Sequence, residues 1–237
     1  MLTTLITFSG YPQSSSLRAL DPQLKDYVYP YSVSFLPLHI QGQTLQMAYM
    51  DVQPTSYNGK NVVLLHGKNF NGAYWRTTIE ALIKEGYRVI VPDQIGFGKS
   101  SKPESFQYSF HQLAANTKAV LDTLRIKKAT IVGHSMGGML ATRFALMYPD
   151  ITEKLVLENP IGLEDYKVVV PYTPVSANYQ NELKATGLYN ELGKKTQRKI
   201  PGSVLVELEN VGHMPHIEVF DRFIGPLKSF LADKSIK

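Results

Sequence analysis

Cysteine does not occur in the 237 residues. Its absence excludes disulfide bonds, thiolate metal sites and a cysteine nucleophile, but it leaves the cellular compartment open. The chain also lacks a run of about 18 apolar residues, the length that a membrane-spanning helix requires, so we expect no membrane span. The apolar stretch Leu2–Phe8 is short and has no basic residue before it, which favours an irregular arm over an export signal. A cytoplasmic location is the default expectation, with export left open.

Positive charge is only slightly in excess: the chain has 25 Lys and Arg and 20 Asp and Glu, which gives a formal net charge of +5. The densest basic run is Lys194–Lys199, and no nucleic-acid-binding motif accompanies it. We interpret this run as the solvated face of a helix and expect no nucleic-acid partner. The length and the 43% of hydrophobic residues suit one α/β domain. The oligomeric state is left open.

Strand-like and helix-like segments alternate along most of the chain. Residues 1–31 show no sustained period and are interpreted as an N-terminal arm, whereas residues 32–237 are expected to form one domain. The runs 32–40 and 43–52 predict an antiparallel hairpin at a sheet edge. Further strands are predicted at 61–65, 88–91, 129–132, 154–158 and 204–208, and helices at 72–85, 110–124, 136–148 and 220–230. This alternation predicts an α/β fold with a mostly parallel sheet and helices on both faces.

The segment Gly133-His-Ser-Met-Gly137 fits the G-x-S-x-G pattern and lies between a predicted strand and a predicted helix. In that context the central serine occupies a sharp, strained turn at the start of the helix. The N–H groups and the dipole of the helix terminus then favour a developing oxyanion. Ser135 is therefore the candidate nucleophile.

Four stretches in this order resemble the α/β-hydrolase superfamily: Leu64-Leu-His-Gly67, Val91–Ser100, Gly133–Gly138 and Asn210-Val-Gly-His-Met-Pro-His-Ile-Glu218. The resemblance extends from about Val33 to Leu231. It implies an α/β-hydrolase fold and a serine-hydrolase activity on a small ester or acyl substrate. It implies no metal and no organic cofactor.

A serine nucleophile needs a base, and two histidines follow the last predicted strand. His213 matches the superfamily's catalytic histidine and is the preferred base. His216 lies past Pro215 and is interpreted as a wall or a cap. His66 is expected to support the oxyanion loop, and His134 to pack under the turn.

The oxyanion hole requires two N–H groups that point to one place. Met136 follows the nucleophile and supplies one of them. The resemblance assigns the second to the loop after His66-Gly67, from either Lys68 or Asn69, and the sequence does not choose between these two.

The acid of the triad is where the sequence departs from the superfamily. Residues 163–202 form a shortened lid region, in which Val168–Val170 is β-rich and 177–199 is interpreted as two short polar helices broken at Gly187. The usual acid-bearing strand is missing from this interval. Glu158 ends the strand after the nucleophile and is the preferred acid, paired with His213. Asp165, Glu164, Asp93 and the absence of any acid are the alternatives.

These residues predict a serine hydrolase that forms an acyl-enzyme on carboxylic esters or related acyl substrates. Aspartate is absent from the nucleophile position, which disfavours chemistry through an aspartyl ester. Lactone hydrolysis, carbon–carbon bond hydrolysis and perhydrolysis use the same groups and stay open. The rival hypothesis is a non-catalytic binding or regulatory protein that has lost its lid and its acid.

Overall fold

The computed structural model describes residues 20–162 and 188–235. Its strands are β1 (Val33–Ile40), β2 (Gln43–Val52), β3 (Asn61–Leu65), β4 (Arg88–Pro92), β5 (Ala129–His134) and β6 (Thr152–Glu158). Its helices are α1 (Arg76–Lys84), α2 (Phe110–Thr123), α3 (Met136–Met147), α4 (Leu188–Lys199), α5 (Pro215–Glu218) and α6 (Phe220–Leu231), and a 3₁₀ turn, Gly72–Trp75, precedes α1.

The six strands form one sheet in the order β1-β2-β4-β3-β5-β6. β1 pairs antiparallel with β2, and β2 antiparallel with β4. The pairs β3–β4, β3–β5 and β5–β6 are parallel. The predicted mixed sheet with an antiparallel N-terminal hairpin is therefore confirmed, and the carboxyl ends of β3, β4, β5 and β6 point to the same edge of the sheet.

Two apolar cores lie on opposite faces of the sheet because side chains alternate along each strand. In β3, Val63 and Leu65 belong to the core under α2 and α3, whereas Val62 and Leu64 belong to the core under α1 and α6. β5 is buried along its whole length, as a central parallel strand requires.

Local signals in the sequence explain where the helices begin. Ser109 accepts a hydrogen bond from the Gln112 N–H at 3.1 Å and so caps α2. Asn71 caps the 3₁₀ turn in the same way, through the Ala73 N–H at 3.0 Å.

No helix in the described part of the chain is long and apolar enough to cross a membrane.

The predicted strand at 204–208 is wrong. These residues form no strand and pair with no strand that the structure describes, and Val204 is 58% exposed. β-branched residues favour a strand only where a neighbouring strand offers free backbone groups. Within residues 20–162 and 188–235, the sheet ends at β6, so the segment has no strand beside it.

Part of the shortened lid region lies outside the described residues, including Val168–Val170, Glu164, Asp165 and the first of its two predicted helices. The second predicted helix is α4. It carries the basic run, where Lys194 pairs with Glu207 at 3.2 Å.

Residues 20–31 of the predicted arm lie against the loop that follows β4. The Tyr29 hydroxyl donates to Asp93 Oδ2 at 2.6 Å, and Lys99 Nζ donates to the Leu24 carbonyl. The Asp93 carboxylate also accepts the N–H groups of Gly72 and Lys99. Asp93 thus joins the arm to the loops after β3 and β4.

The first turn of α3 lies directly on the end of β3. A Cβ atom on Gly137 would overlap the carbonyl oxygen of Leu65, a backbone atom that cannot move without displacing the strand. Close contact between this helix and the sheet therefore depends on the absence of a side chain at position 137.

We predict that Gly137→Ala lowers the free energy of unfolding by about 3 kcal/mol, the upper end of the usual cost of overpacking. Gly193→Ala is the matched control, because it is also a helical glycine and its added Cβ would meet only Leu205 Cδ1 at 3.4 Å. This control should be neutral or stabilising by up to about 1 kcal/mol. Urea denaturation of both variants measures the difference, and equal stabilities would contradict the packing argument.

Candidate active site

Ser135 forms a strained turn between β5 and α3. Its backbone angles are φ 55° and ψ −117°, in a region that residues with a side chain rarely adopt. Neighbouring backbone groups hold it there: the Ser135 N–H donates to the Glu158 carbonyl at 3.0 Å. The Ser135 carbonyl accepts the N–H groups of Gly138 and Ile161 at 2.9 and 3.3 Å. Such strain persists only where the surroundings fix it, and it is typical of functional positions.

The glycine before this turn is also a packing requirement. A Cβ on Gly133 would overlap the carbonyl group of Gly137 one turn later, so the strand can turn into the helix only if position 133 has no side chain. The two glycines of the motif therefore create the turn that presents Ser135.

The Ser135 side chain is buried and its hydroxyl is not engaged in a hydrogen bond within residues 20–162 and 188–235. The residue is 7% exposed. Met136 is the first residue of α3, where a backbone N–H has no intrahelical acceptor. This N–H is the first expected oxyanion donor.

The loop after β3 borders Ser135. A Cβ on Gly67 would lie 3.3 Å from Ser135 Cβ and 3.0 Å from His134 Nδ1. The Phe70 N–H donates to the Gly67 carbonyl at 3.2 Å and closes a turn around Lys68 and Asn69, both exposed. Neither of their N–H groups has an acceptor in the described part of the chain, so both remain candidates for the second oxyanion donor.

His66 joins the loops that follow β3 and β4. Its Nε2 accepts the Gln94 N–H at 3.0 Å, which leaves the proton on Nδ1, 2.9 Å from the Gly67 carbonyl. The ring is fully buried, and burial lowers the pKa of His66 below its ordinary value. A neutral His66 therefore fixes the backbone of the loop that carries the candidate oxyanion donors.

His213 lies beside the turn at Ser135 and is exposed. Its ring centroid is 4.8 Å from that of His134, the residue that precedes Ser135. Its carbonyl accepts two side-chain donors, His134 Nε2 at 2.8 Å and Asn159 Nδ2 at 3.1 Å. Its ring makes no hydrogen bond to any residue that the structure describes, Ser135 and Glu158 included.

Glu158 has a different partner from the one that we expected. Its Oε1 accepts the ring Nδ1–H of His216 at 2.7 Å and the His216 backbone N–H at 3.1 Å. The expected pair of Glu158 with His213 is therefore corrected to a pair with His216. The physical reason is that α5 begins at Pro215 and directs the His216 ring inward, while His213 stays on the surface before the helix.

The Glu158–His216 pair is buried at the end of β6. The two side chains are 4% and 0% exposed, and the His216 ring stacks on Trp75 with centroids 4.2 Å apart. Within the described residues, the second oxygen of Glu158 and Nε2 of His216 have no partner. Breaking one member of such a pair is costly, because the other is left buried and unsatisfied. The pair anchors α5 to the sheet.

Glu218 and Asn159, which no sequence motif assigned to the site, organise the loop that carries His213. Glu218 accepts the N–H groups of Gly212 and Met214 at 2.7 and 2.9 Å and so holds the backbone on both sides of His213. An acid five residues after His213, at the end of a Pro-initiated turn, was the available signal. Asn159 has φ 39°, a conformation that asparagine tolerates better than most residues.

A metal site is not evident in the described segments, since no group of three His, Asp or Glu side chains there is arranged to hold an ion.

The comparisons with known proteins agree on one family. A family model described as alpha/beta hydrolase fold matches residues 60–174. The crystal structure of a "probable hydrolytic enzyme" from Pseudomonas aeruginosa PAO1 is 36% identical with a TM-score of 0.81, and the match covers 90% of this chain and 97% of that one. A predicted CIB-like hydrolase from Thermoplasma acidophilum has a TM-score of 0.61 at 22% identity, over 85% of this chain and 99% of that one, and shows the fold alone.

A curated relative matches over a shorter segment. The 2-hydroxy-6-oxononadienedioate/2-hydroxy-6-oxononatrienedioate hydrolase of Comamonas testosteroni is 41% identical over 108 residues, which are 44% of this chain. The chain spans 38% of the length of that relative.

We predict that the free energy of unfolding falls as the pH is lowered through about 6.5, the ordinary histidine value. The folded-state pKa of His66 lies below that value because of burial, so the unfolded chain takes up the proton first. Stability from this group is complete above the unfolded pKa and is lost as the pH falls towards the folded one. Urea titrations between pH 5 and 8 measure the slope.

His66→Asn tests the assignment, since asparagine keeps a donor near the Nδ1 position and cannot be protonated. In this variant the slope of the free energy of unfolding against pH should be smaller by up to about 1.4 kcal/mol per pH unit. An unchanged slope would show that His66 does not contribute to it.

Proposed function

The chain belongs to the α/β-hydrolase superfamily, and on that premise we propose that it is a serine hydrolase acting on carboxylic esters or related acyl substrates. The observation that carries the proposal is the strained turn at Ser135, with φ 55°, between a fully buried strand and a helix N-terminus. A glycine-flanked serine in this conformation is the arrangement that presents a nucleophile above a parallel sheet.

In the proposed reaction, Ser135 Oγ attacks the carbonyl carbon of the substrate and forms a carbon–oxygen bond. The hydroxyl proton passes to the His213 ring, and the negative charge on the carbonyl oxygen is met by the Met136 N–H and by the loop at Lys68 and Asn69. The bond to the leaving alcohol then breaks, and the alcohol takes the proton from His213. Water, deprotonated by His213, then attacks the acyl carbon. The bond to Ser135 Oγ breaks, Ser135 takes the proton back from His213, and the acid is released.

In this proposal Glu158 acts through its contact with His216. Because Oε1 of Glu158 binds the ring and the backbone of His216, the acid supports His213 through the loop and not through its ring. Of the other candidates from the sequence, Asp93 binds Tyr29, Gly72 and Lys99 through its carboxylate. Asp165 and Glu164 lie outside the described residues.

A second candidate within the same superfamily is hydrolysis of 2-hydroxy-6-oxo acids. It is favoured by the 41% identity to the Comamonas testosteroni relative, which is named for such substrates. Carbon–carbon bond hydrolysis was also among the activities left open by the nucleophile motif. A kinetic comparison of a short p-nitrophenyl ester with a 2-hydroxy-6-oxo dienoate separates the two by kcat/KM.

The rival from another class is a non-catalytic binding protein of the same fold. The observation in its favour is that no carboxylate among the described residues contacts the His213 ring, and such an acid normally holds the catalytic tautomer. Reaction with a fluorophosphonate separates this rival from an enzyme, because only an activated serine is labelled.

We predict that Ser135→Ala abolishes fluorophosphonate labelling and lowers turnover of a p-nitrophenyl ester by on the order of 10⁶-fold, to the background rate. Ser34→Ala is the control, because Ser34 is exposed on the edge strand β1, and it should label and hydrolyse like the wild type. Circular dichroism checks that both variants are folded.

Wild-type protein that neither labels nor hydrolyses would support the non-catalytic alternative. Labelling that persists in Ser135→Ala would assign the nucleophile to another serine.

A further inference from the structure

The backbone of His213 is held at one atom by two side chains. Its carbonyl oxygen accepts His134 Nε2–H at 2.8 Å and Asn159 Nδ2–H at 3.1 Å, and Asn159 also donates to the Gly212 carbonyl at 3.2 Å. Both donors come from the ends of neighbouring parallel strands, β5 and β6. We call His134 and Asn159 the carbonyl clamp.

A chain of hydrogen bonds fixes which nitrogen of His134 carries the proton. The Gly67 N–H donates to the Tyr74 hydroxyl at 3.0 Å, and that hydroxyl lies 3.1 Å from His134 Nδ1. Since the hydroxyl donates to Nδ1, the ring proton is on Nε2 and points at the His213 carbonyl. Burial lowers the pKa of His134, which keeps the ring in this neutral form.

Asn159 reaches the same carbonyl through its backbone conformation. Its φ of 39° is in the left-handed region, which turns the chain at the end of β6 and brings the amide over the loop. A non-glycine residue in this region costs free energy and persists only where other contacts hold it. The preceding residue supplies one such contact, because the Glu158 carbonyl accepts the Ser135 N–H at 3.0 Å.

The clamp residues therefore flank the peptide groups that fix the nucleophile. His134 precedes Ser135, and Asn159 follows the residue that binds the Ser135 N–H. We propose that His134 and Asn159 are positioning residues, which set the distance between Ser135 and His213 by holding the His213 backbone. This proposal rests on the proposed function and deepens it.

Backbone anchoring has a particular role where no described carboxylate touches the His213 ring. An acid at the ring would fix both its place and its tautomer, whereas the clamp fixes only the position from which the ring reaches Ser135. A displacement of about 1 Å in such a pair can cost about 100-fold in rate. Loss of the clamp should thus lower kcat and leave substrate binding, measured by KM, almost unchanged.

The first test uses Asn159→Asp, which has the same shape but presents carboxylate oxygens to the carbonyls of Gly212 and His213. Asn159 is exposed, so the variant should fold. We expect kcat for a p-nitrophenyl ester to fall by about 10- to 100-fold with KM within about twofold. Arg222→Ala is the matched control, because it removes a 3.1 Å bond to the Glu209 carbonyl of the same loop, outside the clamp, and should keep kcat within about twofold.

The second test asks whether kcat depends on the hydrogen-bond donor at position 134. Glutamine can place an amide N–H near the position of Nε2, whereas leucine has no donor. His134→Gln should retain kcat within about threefold, and His134→Leu should lose about 10- to 100-fold. Equal losses in both would show that packing of the ring, and not the hydrogen bond, is required, and would overturn the assignment for His134.

A double-mutant cycle separates positioning from general stability. In a His213→Ala background the clamp has no base to position, so Asn159→Asp should cause no further loss of the residual turnover. An additive loss would overturn the proposal, because the effect would then reach Ser135 without His213.

NMR relaxation gives a readout that does not require activity. The backbone order parameter of His213 should be near 0.85 in the wild type and lower in Asn159→Asp. Gly212 and Met214 keep the bonds of their N–H groups to Glu218 and should change less. Order parameters that stay high, in an enzyme labelled at Ser135, would overturn the clamp and leave the proposed function intact. A wild type that is not labelled, with order parameters that fall as expected, would overturn the proposed function while supporting the clamp as a structural anchor.

Discussion

The close approach of backbone to backbone at the start of α3 is the constraint on which the site depends. Side chains at positions 133 and 137 would overlap the carbonyl groups of the helix turn and of β3, so both positions are glycine. The helix can then begin immediately above the sheet, and Ser135 is forced to φ 55° at the junction. The strain is offset by the fully buried strand beneath it and by the bond from its N–H to the end of β6.

Neutral, buried histidines organise the loops around this turn. His66 and His134 each accept a hydrogen bond on one ring nitrogen and donate one from the other nitrogen to a loop carbonyl. Burial disfavours their charged forms, which protects the tautomers that these bonds require. His66 thus ties the candidate oxyanion loop to the loop after β4, and His134 ties the His213 loop to the end of β5. Neither side chain takes part in the proposed bond changes.

Most of the fold was predictable because its signals are local. The apolar run at 61–65 and the amphipathic pattern of α6 reflect the period of the element and the face that it buries. The predicted bounds of the hairpin strands and of α2 and α3 agree with the structure to within a residue or two. The segment 204–208 has the composition of a strand and is not one, because pairing depends on a neighbour that the composition of the segment does not describe.

The candidate site was also predictable from the sequence only in part. The candidate nucleophile, the first candidate oxyanion donor and the preferred histidine follow from short motifs, since each is defined by residues a few positions apart. The partner of Glu158 does not, because two histidines three residues apart were both eligible and only the start of α5 at Pro215 turns one inward and leaves the other exposed. Asn159 and His134 meet the His213 carbonyl from 54 and 79 positions away. Such contacts depend on how separate strands are brought together, which a linear pattern does not encode.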